Sequence, residues 1–223
     1  MKRTIIFLAA CAPGVPDEPS YQQHVAPILA ANCVRCHGIP VLGGAPPGFR
    51  LDSYTSYERP MRNAVGIETV AGAATFSNII AMRIVSSDAP MPPRFGLDDY
   101  QIEILQAWDA AGAPRGEPNE GNRVPTAALV GTRQSIEEQG IEIRVRYLID
   151  VTVGDPDNDV VGGALRARLG ATVLPLGLLR SGENRVVWET TNIAPGTFSL
   201  EAVLDDGGVE STVDLGALVV EAP

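Results

Sequence analysis

The sequence predicts a multidomain protein: a mainly α domain over residues 20–115, then an all-β sandwich over residues 127–223. Three observations predict it. Apolar residues recur at helical spacing in "YQQHVAPILAANC" and "DYQIEILQAWDAAG". A period of two runs through residues 141–153. Between them, "PRGEPNEGNRVPT" is rich in Pro, Gly, Asn and charge, so residues 116–126 read as a linker. At 223 residues, the chain is long enough for two ordinary domains.

The net charge is −10 and the pI about 4.7, which excludes nucleic acid as an expected partner. The acidity is uneven. Residues 20–115 carry seven Arg against eight acids, whereas residues 127–223 carry seven Arg against fifteen acids. Lys2 is the only lysine, so there is no lysine-rich docking face.

The chain opens "MKRTIIFLAACAPG", with Lys2 and Arg3 before the short apolar run Ile5 to Ala10 and small residues ahead of Cys11. This is the layout of a bacterial export signal over residues 1–10. "LAAC" resembles the lipobox of bacterial lipoproteins, which implies acylation at Cys11 and a lipid anchor on a membrane surface. An ordinary cleaved signal with an incidental Cys11 is the alternative. Residues 11–19, rich in Pro, Gly and acids, read as a tether.

Tyr21, Val25, Ile28 and Leu29 form one apolar helical stripe leading into "NCVRCHGIP". Cys33 and Cys36 admit three readings. A thioredoxin-like dithiol would want a βαβ pattern, and none is visible. A structural zinc site needs four ligands, but the chain has two histidines and no second cysteine pair. Cys-x-x-Cys-His is the signature of covalent haem attachment, with both thiols joined to the haem vinyls and His37 placed to bind iron. Pro46 and Pro47 are the candidates to supply a carbonyl that orients the imidazole; spacing does not choose between them.

"YQQHVAPILAANCVRCHGIP" resembles the first helix and haem-binding turn of class I bacterial cytochrome c domains, as found in exported planctomycete proteins. Those modules continue with a glycine-rich segment and a Leu-Asp-Ser step, matched by "GGAPPGFRLDSY". They then carry an apolar helix, a Met-Pro-Pro loop and a helix ending in Trp and Gly-Ala-Pro, matched by residues 78–114. The resemblance implies a mainly α cytochrome c domain with one haem c.

Haem iron held by His37 has a second axial position. Met91, 54 residues on, stands among Pro90, Pro92 and Pro93, which stiffen its loop. It is the best candidate, and the resemblance implies the same role. Met61, Met82 and His24 are the rivals. Met82 in "NIIAMRIV" reads as core packing, Met61 as a surface or packing residue. His24 sits on the helix entering the proximal side. In the last helix, Ile104, Trp108 and Ala111 share a face, with Asp98 and Gln101 set for a capping box and Gly112 and Pro114 for a stop.

In the second half, Ile141, Ile143, Val145, Tyr147, Ile149, Val151 and Val153 alternate with mostly polar residues. Further strands are expected in "ATVLPLGLL", "NRVVWETT", "GTFSLEAVLDD" and "STVDLGALVVE". Residues 187–208 resemble the later strands of Ig-like or fibronectin type III domains, without their cysteine pair and with Phe198 where those domains often carry Tyr. Trp188 reads as a core residue. Asp155, Asp157 and Asp159 have a spacing that can gather oxygens around Ca²⁺, although the glycine and distal Glu of an EF-hand are missing; a solvated acidic turn is the commoner outcome.

The expected function is an exported, lipid-anchored carrier of single electrons. Haem would be bound through Cys33 and Cys36 with His37 and Met91 as axial ligands, and the β-domain would act as spacer or docking module for a redox protein on the periplasmic side or cell surface. The alternatives are a haem enzyme or gas sensor with an open or labile distal site, and a structural or adhesion lipoprotein in which the β-domain is the active part.

Overall fold

The computed structural model describes residues 14–62, 64–93, 96–139 and 142–221. Cys11, the export signal and Ile141 lie outside them. The chain begins with a π-helical turn, Tyr21–Val25, which runs into α1 (Ala26–Asn32) and the single turn α2 (Val34–His37). A hairpin follows, β1 (Tyr57–Pro60) against β2 (Ile67–Val70). Then come α3 (Ser77–Arg83) and α4 (Asp99–Ala110). Seven strands complete the chain: β3 (Thr126–Gln139), β4 (Glu142–Gly154), β5 (Gly162–Leu169), β6 (Thr172–Arg180), β7 (Gly182–Glu189), β8 (Gly196–Asp205) and β9 (Glu210–Val220).

The expectation of a mainly α cytochrome c domain is corrected here. Among the described residues the protein is mostly β, with 40% strand against 17% helix and three sheets. The helices are short, the longest being α4 at 12 residues. Between the cysteine turn and the methionine loop the chain spends its length on the β1–β2 hairpin and on turns. Tyr57-Glu-Arg-Pro and Ile67-Glu-Thr-Val have no apolar period near 3.6. Tyr57 and Arg59 point inward while Glu58 and Pro60 point out, a period of two.

The helices nevertheless enclose a small core of their own. Tyr21, Val25, Leu29, Ile104, Leu105 and Trp108 pack together, with Tyr21 and Trp108 rings 5.9 Å apart. α4 starts on a complete Asp98–Gln101 capping box. It ends where Gly112 takes φ +82°, and Trp108 Nε1 then donates to Pro114 O at 2.9 Å.

The larger core lies between two antiparallel sheets, of order β3-β4-β7 and β6-β5-β8-β9. From Val145 to Val153 alternate residues of β4 point inward, and Trp188 meets Phe198 edge-on at 5.1 Å. Ile143 obeys the same alternation but is exposed. β7 pairs with β4 only from Arg146 onward, so the β3–β4 ribbon runs past its cover there.

The helical segment and the sheets are joined by a buried polar seam. Arg50 is wholly buried, and its Nε and Nη2 donate to the two carboxylate oxygens of Asp52 at 2.6 and 2.9 Å. Its Nη1 donates to Gly163 O at 2.9 Å and Nη2 also to Leu179 O at 2.7 Å. Gly163 and Leu179 face each other across β5 and β6, so the guanidinium fork spans one strand pair. A second charge, Asp205, accepts from Thr55 N at 2.9 Å and pairs with Arg115 at 3.3 Å. Apolar contact completes the seam through Tyr57, Val70, Ala164, Leu178 and Val203. Gly162 permits this approach, because a Cβ there would lie 2.6 Å from Asp52 O and 2.5 Å from Ser53 Cβ. The segment between the two cores is pinned as well: Gln22 Nε2 donates to Asn122 Oδ1, and Arg123 pairs with Asp157.

Two outcomes follow from the seam. Removing one partner of a buried ion pair costs about 3–5 kcal/mol, so Asp52→Ala lowers the urea midpoint steeply. Gly162→Ala lowers it by steric displacement. The two tryptophans report on separate cores, so single-tryptophan variants retaining Trp108 or Trp188 give the same fluorescence midpoint; two separated midpoints would show that the cores unfold independently.

Candidate functional site

The site is built on the end of the first helical segment. Cys33 N donates to Leu29 O at 2.8 Å, closing α1, and His37 N donates to Cys33 O at 3.0 Å, closing the next turn. Helical spacing puts Cys33 and Cys36 on one face. Both are half-buried free thiols. Burial, and then the neighbouring Cys36, push the Cys33 thiol up to about 11. The chain folds back over Cys36 through Leu42, whose N–H donates to Cys36 O at 3.1 Å. Gly43, at φ +63°, would bring a Cβ within 3.4 Å of Cys36 Sγ.

His37 is 9% exposed, and burial lowers its pKa from the ordinary imidazole range. Its ring stacks on Phe49 at 4.8 Å, and Phe49 in turn stacks on Phe76 at 4.3 Å. Leu51 N donates to His37 O at 2.7 Å. The Nδ1 atom is buried without a hydrogen-bond partner. Neither proline carbonyl proposed from spacing reaches it, and Pro47 O accepts instead from Arg59 Nη2 at 3.2 Å. A buried imidazole with an unpartnered nitrogen is costly unless another group uses the ring.

Met91 lies half-buried on the loop after α3, and its N–H donates to Arg83 O at 3.2 Å, which ties the loop to the helix end. Its rivals are placed as follows. Met82 is 57% exposed, so the expectation of core packing there is corrected; α3 turns Ile80 inward instead. Met61 is exposed beside the hairpin turn. His24 Nδ1 accepts from Ser20 N at 3.1 Å and so is occupied by its own helix start. Cys11 lies outside the described residues.

The acidic triplet diverges. Asp157 binds Arg123, with its Oδ1 2.9 Å from Nε. Asp155 Oδ1 accepts from the N–H groups of Asp157 and Asp159, at 2.8 and 3.1 Å. Asp159 faces a cavity of about 200 Å³ that Tyr21, Gln22 and Asp206 also line, where burial and then Asp155 raise its carboxyl. Among the described residues, no group of three or more His, Cys, Asp or Glu side chains could hold a metal ion. That criterion concerns ions held by protein atoms alone. A haem would ask less of the chain: the Cys33 and Cys36 thiols would attach it and the His37 imidazole would bind its iron.

Phe49, Arg50 and Phe76 were not legible as site residues.

No family model matches the chain, and no curated protein or solved structure matches it. The likeness to class I cytochrome c domains is therefore corrected: the chain is mostly β, no metal-binding group stands among the described residues, and no family supports it. The likeness of the later strands to Ig-like and fibronectin type III domains likewise finds no match.

The raised thiol predicts reactivity in the haem-free chain. Alkylation of Cys33 by iodoacetamide, followed by peptide mass mapping, should accelerate with pH up to about 11. A rate already at its plateau at neutral pH would contradict the burial of this thiol.

Proposed function

We propose that this protein carries single electrons on one covalently bound haem, held through Cys33 and Cys36 on the mostly β scaffold described above. The observation supporting it is the turn Cys33–His37 itself, where two free thiols precede a buried imidazole whose Nδ1 has no partner. Were haem attached, the Cys33 and Cys36 thiols would each add across one vinyl group, sulfur to one carbon and the thiol proton to the other with no leaving group, and His37 and Met91 would be the residues that hold the iron. Pro90, Pro92 and Pro93 reduce the order that the loop must gain when the weak thioether ligand binds.

Bound haem supplies reversible exchange of one electron between ferric and ferrous iron. The residues around it set how easily that happens. Phe49, stacked on His37, excludes water from the imidazole face, and a drier site with Met/His ligation favours the ferrous state. The near balance of charge over residues 20–115 suits a redox protein partner recognised by shape more than by long-range steering. Cys11 would carry the lipid that holds the protein at a membrane surface on the exported side. Among the described residues, no helix is long and apolar enough to cross a membrane.

The test is an absorption spectrum of the exported protein, oxidised and then reduced. A c-type haem spectrum with the weak far-red methionine–iron band is expected, and Met91→Ala should lose the band and lower the midpoint potential. Covalent haem that survives Cys33→Ser with Cys36→Ser would overturn the proposal.

A further inference from the structure

The seam between the helices and sheets adjoins the proposed haem turn, because Phe49 and Leu51, which flank Arg50, both contact His37. Residues 49–52 run past His37, and their side chains divide between two tasks. Phe49 stacks its ring on the imidazole, and Leu51 N–H donates to His37 O at 2.7 Å. Asp52 covers the next residue, because a Cβ on Gly38 would stand 3.3 Å from Asp52 Oδ2. Arg50, between them, turns away into the sheets and reaches Gly163 O and Leu179 O. The strip that grips His37 is thus anchored through a residue that never touches it.

We infer that Arg50 is a positioning residue for His37, and that the β5–β6 pair is the fixed wall against which the haem turn is held. The inference rests on the haem reading for its redox consequence but not for the grip itself. Four of the five guanidinium N–H groups are used, in three directions. An ammonium has three donors and no planar fork, so Arg50→Lys keeps the charge and loses the geometry. The strip should then slide relative to His37 and admit water to the imidazole. Ligand orientation and dryness both set the potential, so the potential should fall.

The contrast is Arg115, which binds Asp205 at the same seam yet touches neither the strip 49–52 nor His37 in any hydrogen bond. Arg115→Lys loosens the seam without loosening the grip. The experiment takes the full chain as purified and measures two quantities. One is hydrogen exchange at the Leu51 amide; the other is the midpoint potential of the bound haem.

In Arg50→Lys, Leu51 exchange should rise at least tenfold while the Ile149 amide in β4 stays protected, and the potential should shift downward. Arg115→Lys should leave both near the parent values. Unchanged Leu51 exchange and potential in a folded Arg50→Lys protein would overturn the inference, as would an equal shift from Arg115→Lys. Should Arg50→Lys not fold, the parent protein still decides. In rising urea its Leu51 amide should open together with the Gly163 amide of β5, and independent opening of Leu51 at low urea overturns the inference. A parent chain without covalent haem would remove the haem reading alone, leaving the exchange result to judge the grip.

Discussion

The buried Arg50–Asp52 pair, with the two sheet carbonyls that complete it, constrains most of what the molecule can do. Taking a guanidinium out of water costs several kcal/mol, and its partner carboxylate alone does not recover that. The remaining donors must find acceptors, and they find them on an opposed pair of residues in β5 and β6. A slip of one residue along either strand would replace that strand's acceptor. The bond set therefore selects a single docking of the helical segment on the sheets, which an apolar contact of the same area would leave loose. Gly162 is the steric counterpart, since the strip approaches β5 more closely than any side chain there would allow.

From that docking the site inherits its order. α2 is one turn long and carries no capping side chain, so on its own it would be a marginal element. It is held by its neighbours: Leu51 on the carbonyl of His37, Phe49 on the ring, and Gly43 folded near Cys36. Burial then does two chemical things. It lowers the pKa of the His37 imidazole and raises that of the Cys33 thiol. Asp205 adds the second fixed point. It joins β8 to Thr55 and Arg115, so the strip and the stretch after α4 are clamped at both ends.

Much of this was legible in local pattern, and the rest was not for identifiable reasons. The period of two from Val145 to Val153 reads directly as β4, and the Asp98–Gln101 cap marks the start of α4. The Cys33–His37 turn is visible as a motif because the chemistry proposed for it depends on fixed spacing. The β1–β2 hairpin escaped notice because its strands are four residues each and include Pro60. β3 escaped because a bulge between Leu129 and Gly131 breaks its alternation. The mainly α expectation failed on these elements: motifs in the right order were carried over with a fold that the segments between them do not form. Arg50 was invisible for a different reason. Its partners are 113 and 129 residues away, and no local pattern marks an arginine that will be buried. Met82 shows the reverse case, an apolar neighbourhood in sequence that becomes an exposed helix face.

The central claim is that the turn holding Cys33, Cys36 and His37 is built to carry haem covalently. The most direct measurement is the intact mass of the protein recovered from the exported compartment, taken after denaturation and treatment with an alkylating reagent. The account predicts a mass increased by one haem, with neither Cys33 nor Cys36 alkylated. A chain of bare mass in which both cysteines alkylate would contradict it.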